Sequence, residues 1–227
     1  MMKTVGGVLL TVLAFVTGWT LLSLPVQYRE YAFFLPLLCG FAGALVVFIL
    51  FPRLRLQRLY VAGHEFVHWL AAKIFRRRTG KFAVGKSGGA VEIERPNIWI
   101  VLAPYVVPVF TLAWIGLYGV ARMISAGSWG PIFHNIVYAG IGVSYSHHLV
   151  LTASAVTTSQ RDFSFYGIWL SLPAVLWGNL LLLLTALMLV THQWQAGVTL
   201  FVENSEEAVR AVLHVVAYAT RELQDVW

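Results

Sequence analysis

Apolar residues in this chain come in long unbroken blocks, with neither the two-residue period of a half-buried strand nor the narrow stripe of a soluble helix. A membrane-crossing helix needs about 20 consecutive, mostly apolar residues. Val5–Leu24, Ala32–Phe51, Ile98–Val120, Ile132–Val156 and Phe163–Val190 reach that length. A sixth block, Leu59–Phe75, is slightly short and carries polar residues at its centre. The first block follows Met-Met-Lys but has no small-x-small cleavage site after it, so it is expected to stay as an uncleaved span. Pro104 and Pro108 predict a kink within Ile98–Val120.

Two segments break the pattern. Lys81–Glu94 alternates around a Gly-rich centre, with Val84 on one side and Val91 and Ile93 on the other, which predicts a short β-hairpin. The tail reads as an amphipathic helix. Val209, Val212, Leu213, Val216, Leu223 and Trp227 share one face, and Glu207, Arg210, His214, Arg221 and Asp225 the other. Asn204 with Glu207 three residues on resembles its capping box. The net acidic polar face suits packing against the body or a partner at least as well as lying on lipid.

Composition sharpens this picture. The 227 residues are 59% hydrophobic and 11% charged, with a mean hydropathy of +0.74. Soluble domains carry about 25% charge, so a soluble globule, a disordered chain and a nucleic-acid-binding domain are excluded as classes. The net charge of +6 does not imply a polyanion partner. Its bases cluster at block edges (Arg53, Arg55, Arg58; Arg76, Arg77, Arg78, Lys81, Lys86), where they suit lipid headgroups. Basic residues flank both ends of the short block, so orientation stays open. Cys39, alone in an apolar block, excludes a disulfide framework and a Cys-based zinc site.

The short block contains Gly63-His64-Glu65-Phe66-Val67-His68-Trp69. Histidines four apart on a helix face the same way and can share one metal ion. The intervening glutamate lies beside that ion, placed to accept a proton from a water. Ionisable groups at the centre of a span cost about 2.5–3.5 kcal/mol or more each, and a bound cation offsets that cost. Zinc accepts such nitrogen and oxygen ligands, and a catalytic site takes three of them from the protein. Between Glu65 and Glu203 the acids are Glu92, Glu94 and Asp162. Glu92 and Glu94 belong to the hairpin. Asp162 opens the last long block and is the favoured third ligand. A plain helix cap, or an ion pair with Arg161, is its simpler role. His147 and His148 compete for the third position. His134, Asn135 and Asn179 are polar residues inside blocks that could steady an oxyanion or the substrate, or merely join helices.

These residues resemble a known family. Gly63-His-Glu-Phe-Val-His68 followed by Trp69-Leu-Ala-Ala72, a Gly-rich hairpin, Leu102-Ala103-Pro104 in the next span and an acid opening a later one look like the site-2 protease family of intramembrane zinc metalloproteases. The likeness covers approximately Leu59 to Leu180. Family members commonly carry Asn-Pro before and Gly after the ligand aspartate. Here the run is Gln160-Arg161-Asp162-Phe163.

The resemblance implies an endopeptidase that cuts membrane-spanning protein or peptide substrates. His64, His68 and Asp162 would hold one Zn2+ per chain, and Glu65 would act as the general base. The hairpin, through Val91 and Ile93, would offer an edge to an extended substrate, unless it is only a connecting loop. Two other readings stand beside this one. One is a membrane zinc peptidase of the prenyl-protein or heat-shock type, with Glu203, Glu206 or Glu207 as third ligand. The other is a non-catalytic scaffold or regulator that retains the motif. The expected fold is an all-α, multi-pass integral membrane protein of the cell membrane with about six transmembrane helices and a small β-hairpin insert. A membrane domain would span 1–200, with the zinc-protease core at about 59–180. The amphipathic C-terminal helix over 201–227 would be open to a homo-oligomeric or regulatory partner.

Overall fold

The computed structural model describes residues 2–26, 31–85, 88–125, 129–157 and 161–224. Lys86, residues 158–160, Asp225 and Trp227 lie outside them, as do the side chains of Val216, Arg221 and Leu223. Along the described chain run α1 (Met2–Ser23), α2 (Phe34–Leu50), a 3₁₀ turn (Pro52–Arg55), α3 (Gln57–Ile74), β1 (Thr79–Val84), β2 (Gly89–Ile93), α4 (Ile98–Val106), α5 (Val109–Ile124), α6 (Pro131–Thr157), α7 (Arg161–Tyr166), α8 (Ile168–Val190) and α9 (Trp194–Gln224). The fold is mostly helical, with one two-stranded sheet. It divides into two compact units: residues 1–26 with 167–227, and residues 27–166.

In the first unit α1 packs along α8. Twenty-two residues at 1.5 Å each give α1 a length of about 33 Å, enough for a hydrocarbon core. Its outward residues, Val5, Val8, Leu9, Phe15 and Leu22, are large, apolar and exposed, the reverse of a helix that faces water. Thr17 and Thr20 are buried because each hydroxyl donates to the carbonyl four residues back, on Leu13 and Val16. Leu24, Leu184 and Met188 form a core on which Leu200 and Phe201 of α9 rest. The tail helix begins ten residues before the expected cap at Asn204. Asn204 is instead drawn sideways, its amide donating to Thr20 Oγ1 at 3.0 Å, which places it within the helix.

The second unit is built on close helix contact. Small residues allow the approach of α2 to α6. A Cβ on Gly40 would lie 2.2 Å from the Ala139 carbonyl, and one on Gly142 would lie 2.1 Å from that of Leu37. The hairpin forms as the alternation predicts, with β1 antiparallel to β2 and Phe82 opposite Val91.

The number of spans differs from the six expected. Among the described residues, two helices are long and apolar enough to cross a membrane, within Lys3–Ser23 and Ile168–Val190. The number rises to four if each of two bent pairs counts as one span. The reasons are local. Pro52 and the left-handed Leu56 (φ 47°) turn α2 into α3 through 120°. The two prolines do more than kink their block: α4 ends at Val106 and α5 starts at Val109, bent by 64°. Helix α6 is long, but its polar positions (His134, Asn135, Ser144, Ser146, His147, His148) keep it below the apolarity of a span. Asp162 does not open a long helix. It sits in the six-residue α7, which Gly167 at φ 91° separates from α8.

The α2–α6 contact gives a direct test. Gly142→Leu is expected to destabilise the detergent-solubilised protein by on the order of 1–3 kcal/mol or more, read as a lower unfolding midpoint. Gly116→Leu, where a Cβ would meet nothing within 4 Å, is expected to leave the midpoint nearly unchanged.

Candidate metal centre

Helix α3 carries the motif, and its 3.6-residue turn stacks His64 above His68 on one face. Their Nε2 atoms approach to 3.1 Å. Asp162 Oδ2 completes a triangle, 3.4 Å from each. Among the described residues, this His64–His68–Asp162 group is the one close enough to hold a metal ion. Ligands bound tetrahedrally to zinc at about 2.0–2.1 Å stand about 3.3–3.4 Å apart, so the triangle has nearly the edge lengths of three ligands around one ion.

Each corner is held from behind. The His68 Nδ1–H donates to the Ile100 carbonyl at 2.9 Å. That carbonyl can only accept, so Nδ1 carries a proton and the ring is held with Nε2 turned to the centre. Helix α4 reaches this position because Ala71, Ala72 and Ile100 pack in a buried cluster where α3 offers only methyl groups. Its first turn is fixed by Asn97, whose side chain caps the Ile100 N–H at 2.9 Å. The fully buried Tyr105, also on α4, donates its hydroxyl to Asp162 Oδ2 at 2.8 Å. Helix α7 is pinned by Phe163 against the Tyr105 ring and by Tyr166 Oη donating to the Pro96 carbonyl at 3.0 Å. Burial alone would raise the Asp162 carboxyl. Hydrogen bonds donated to it, that of the Tyr105 hydroxyl among them, outweigh this and hold it below the usual carboxylate range. Asp162 is therefore anionic at neutral pH, as a ligand must be.

Glu65, 8% exposed, stands beside the triangle without belonging to it. The hairpin covers it. A Cβ on Gly89 would come within 2.5 Å of Glu65 Cγ and 2.9 Å of Val61, so only glycine lets β2 lie this close. The Val91 backbone amide reaches the Glu65 carboxylate. A cavity of about 450 Å3 opens here, its polar lining formed by Tyr60, His64, Glu65, His68, Arg161 and Asp162. Val91 and Ile93 line it too, where the sequence placed a substrate edge.

Other candidates lie elsewhere. His147 bonds the Arg55 carbonyl through Nε2, and neither it nor His148 joins the triangle. His134 pairs with the Tyr118 hydroxyl at 2.9 Å, and Asn135 is exposed on α6 away from the cavity lining. Asn179 belongs to the other unit, where its amide donates to the Val175 carbonyl. Glu203, Glu206 and Glu207 lie on α9, with Glu206 paired to Arg210 at 3.2 Å. Glu92 is used within the hairpin, accepting from the Lys81 amide. Sequence reasoning missed Tyr105 and Gly89. A tyrosine directly after Pro104 in an otherwise apolar block was the available signal for the first. Comparison with known protein families, curated proteins and solved structures gives no match.

The purified protein is expected to bind one zinc per chain by metal analysis. His64→Ala, His68→Ala and Asp162→Ala should each drop it well below one. Tyr105→Phe should keep the stoichiometry but weaken affinity by about 10–100-fold, measured by chelator competition.

Proposed function

We propose that this protein is a membrane-embedded zinc peptidase, similar to the site-2 protease family, that hydrolyses peptide bonds of membrane-spanning substrates. The observation that carries the reading is the triangle of two imidazole nitrogens and one carboxylate oxygen with a buried glutamate at its side. His64, His68 and Asp162 would hold the ion, a donor set of the kind zinc hydrolases use. Zinc bound there supplies Lewis acidity towards a water molecule and towards the scissile carbonyl.

The chain's own groups do the rest. Glu65 takes a proton from the attacking water and returns it to the amine that leaves, so the carboxylate is regenerated each turnover. Asp162 and Tyr105 fix the position of the site relative to α4. Val91 and Ile93 on β2 line the cavity, and an extended substrate would add along that strand. Such an acceptor matters because a transmembrane helix hides its peptide bonds in its own ladder and must unwind before attack. Two helices apolar enough to span, and up to four with the bent pairs, support placing the reaction at a membrane.

The test is Glu65→Gln in proteoliposomes with a labelled transmembrane peptide, with products read by mass spectrometry. The variant should keep its zinc and lose turnover by at least about 10²-fold, because the base is removed and the ligands are spared. A variant that retains full cleavage would refute the role of Glu65, and a wild-type protein that binds zinc but cleaves nothing would favour a non-catalytic role. Gly89→Val should push β2 away from Glu65 and lower cleavage while zinc content holds.

A further inference from the structure

His64 is held less completely than its partner. Its side chain is only 8% exposed, and its Nε2 is spent on the triangle. Its Nδ1 is buried and meets no hydrogen-bonding group among the described residues. The hydroxyl of Tyr60, one turn back on the same face of α3, is buried in the same condition. The two rings lie 5.6 Å apart between centroids. Beside them is a small space of about 10 Å3, lined by Tyr60, Gly63, His64, Pro104, Phe110 and His148. That volume is about the smallest that admits one water, and a buried water needs two to four polar partners.

We infer that one buried water occupies this space, accepting from His64 Nδ1–H and bonded to the Tyr60 hydroxyl, so that Tyr60 is a positioning residue for His64. The arrangement satisfies two buried polar atoms at once. It also gives His64 what Ile100 gives His68: an acceptor on Nδ1 that fixes the tautomer and turns the Nε2 lone pair towards Asp162 and His68. The periodicity of Tyr60, His64 and His68, each four apart, carries the same message along the helix. The inference rests on the reading of His64 as a metal ligand only for its consequence, not for the water itself.

The test uses the full chain, 15N-labelled at histidine, with zinc affinity measured alongside by chelator competition. Tyr60→Phe removes one partner of the water and keeps the ring. Val107→Leu, from another wall of the same space, expels the water by volume. In the metal-stripped protein both variants should move the His64 ring signals and leave those of His68 in place. Both should weaken zinc binding by about 10-fold while saturation stays at one per chain. Unchanged His64 signals in Tyr60→Phe would overturn the proposal, as would equal disturbance of His64 and His68, which would mean general damage. If the wild-type protein takes up no zinc, the proposed function fails, and the metal-free His64 signals still decide whether the water is there.

Discussion

Three electron-rich atoms facing one another set the terms for the rest of this structure. Two imidazole nitrogens at 3.1 Å and a carboxylate oxygen at 3.4 Å from each cannot all present lone pairs to the same point without a positive centre between them. A proton can serve one pair, but a divalent ion serves all three. The hydrogen bond from His68 Nδ1 to Ile100 orients the ring so that Nε2 faces the other two atoms, where one ion can be shared. In apolar surroundings this choice is costly to leave unmade, and the neighbouring elements are arranged so that the convergence is kept.

The fold achieves this within a single compact unit. Helix α3 supplies both imidazoles and the glutamate from one turn and a little more. The break between α4 and α5 leaves α4 short, so Ile100 and Tyr105 point to opposite corners of the triangle from one rigid segment. Helix α7, six residues long, is too short to hold itself and is fastened by Phe163 and Tyr166. A glycine at position 89 brings the hairpin down on Glu65. The polar centre is thus contacted by four elements, α3 with three side chains and the others with one or two groups each.

Much of this was legible in the residues, and the failures have physical causes. The His-Glu-His spacing located the site because helical geometry alone puts those side chains together. The hairpin was legible because alternation around glycines has few other solutions. Asp162 was chosen by elimination among few acids, and the structure brings it to the histidines on a short helix that the apolar run after it concealed. The span count failed because long apolar blocks report burial in grease and say nothing of direction. A left-handed Leu56 and a break at Pro104-Tyr-Val-Val-Pro108 redirect the chain inside blocks that read as continuous. Asn204 looked like a cap because its local pattern matched one, whereas the partner that uses its amide, Thr20, is distant in sequence. Tyr105 was missed for the same reason: its role exists only once α7 is folded beside it.

X-ray absorption at the zinc edge of the metal-loaded wild-type protein tests the central claim most directly. Expected is a four-coordinate centre with only light-atom ligands at about 2.0–2.1 Å, two of them showing the multiple-scattering pattern of imidazole. A six-coordinate or loosely held ion with one imidazole or none would contradict it, because the three facing atoms would then not share a metal.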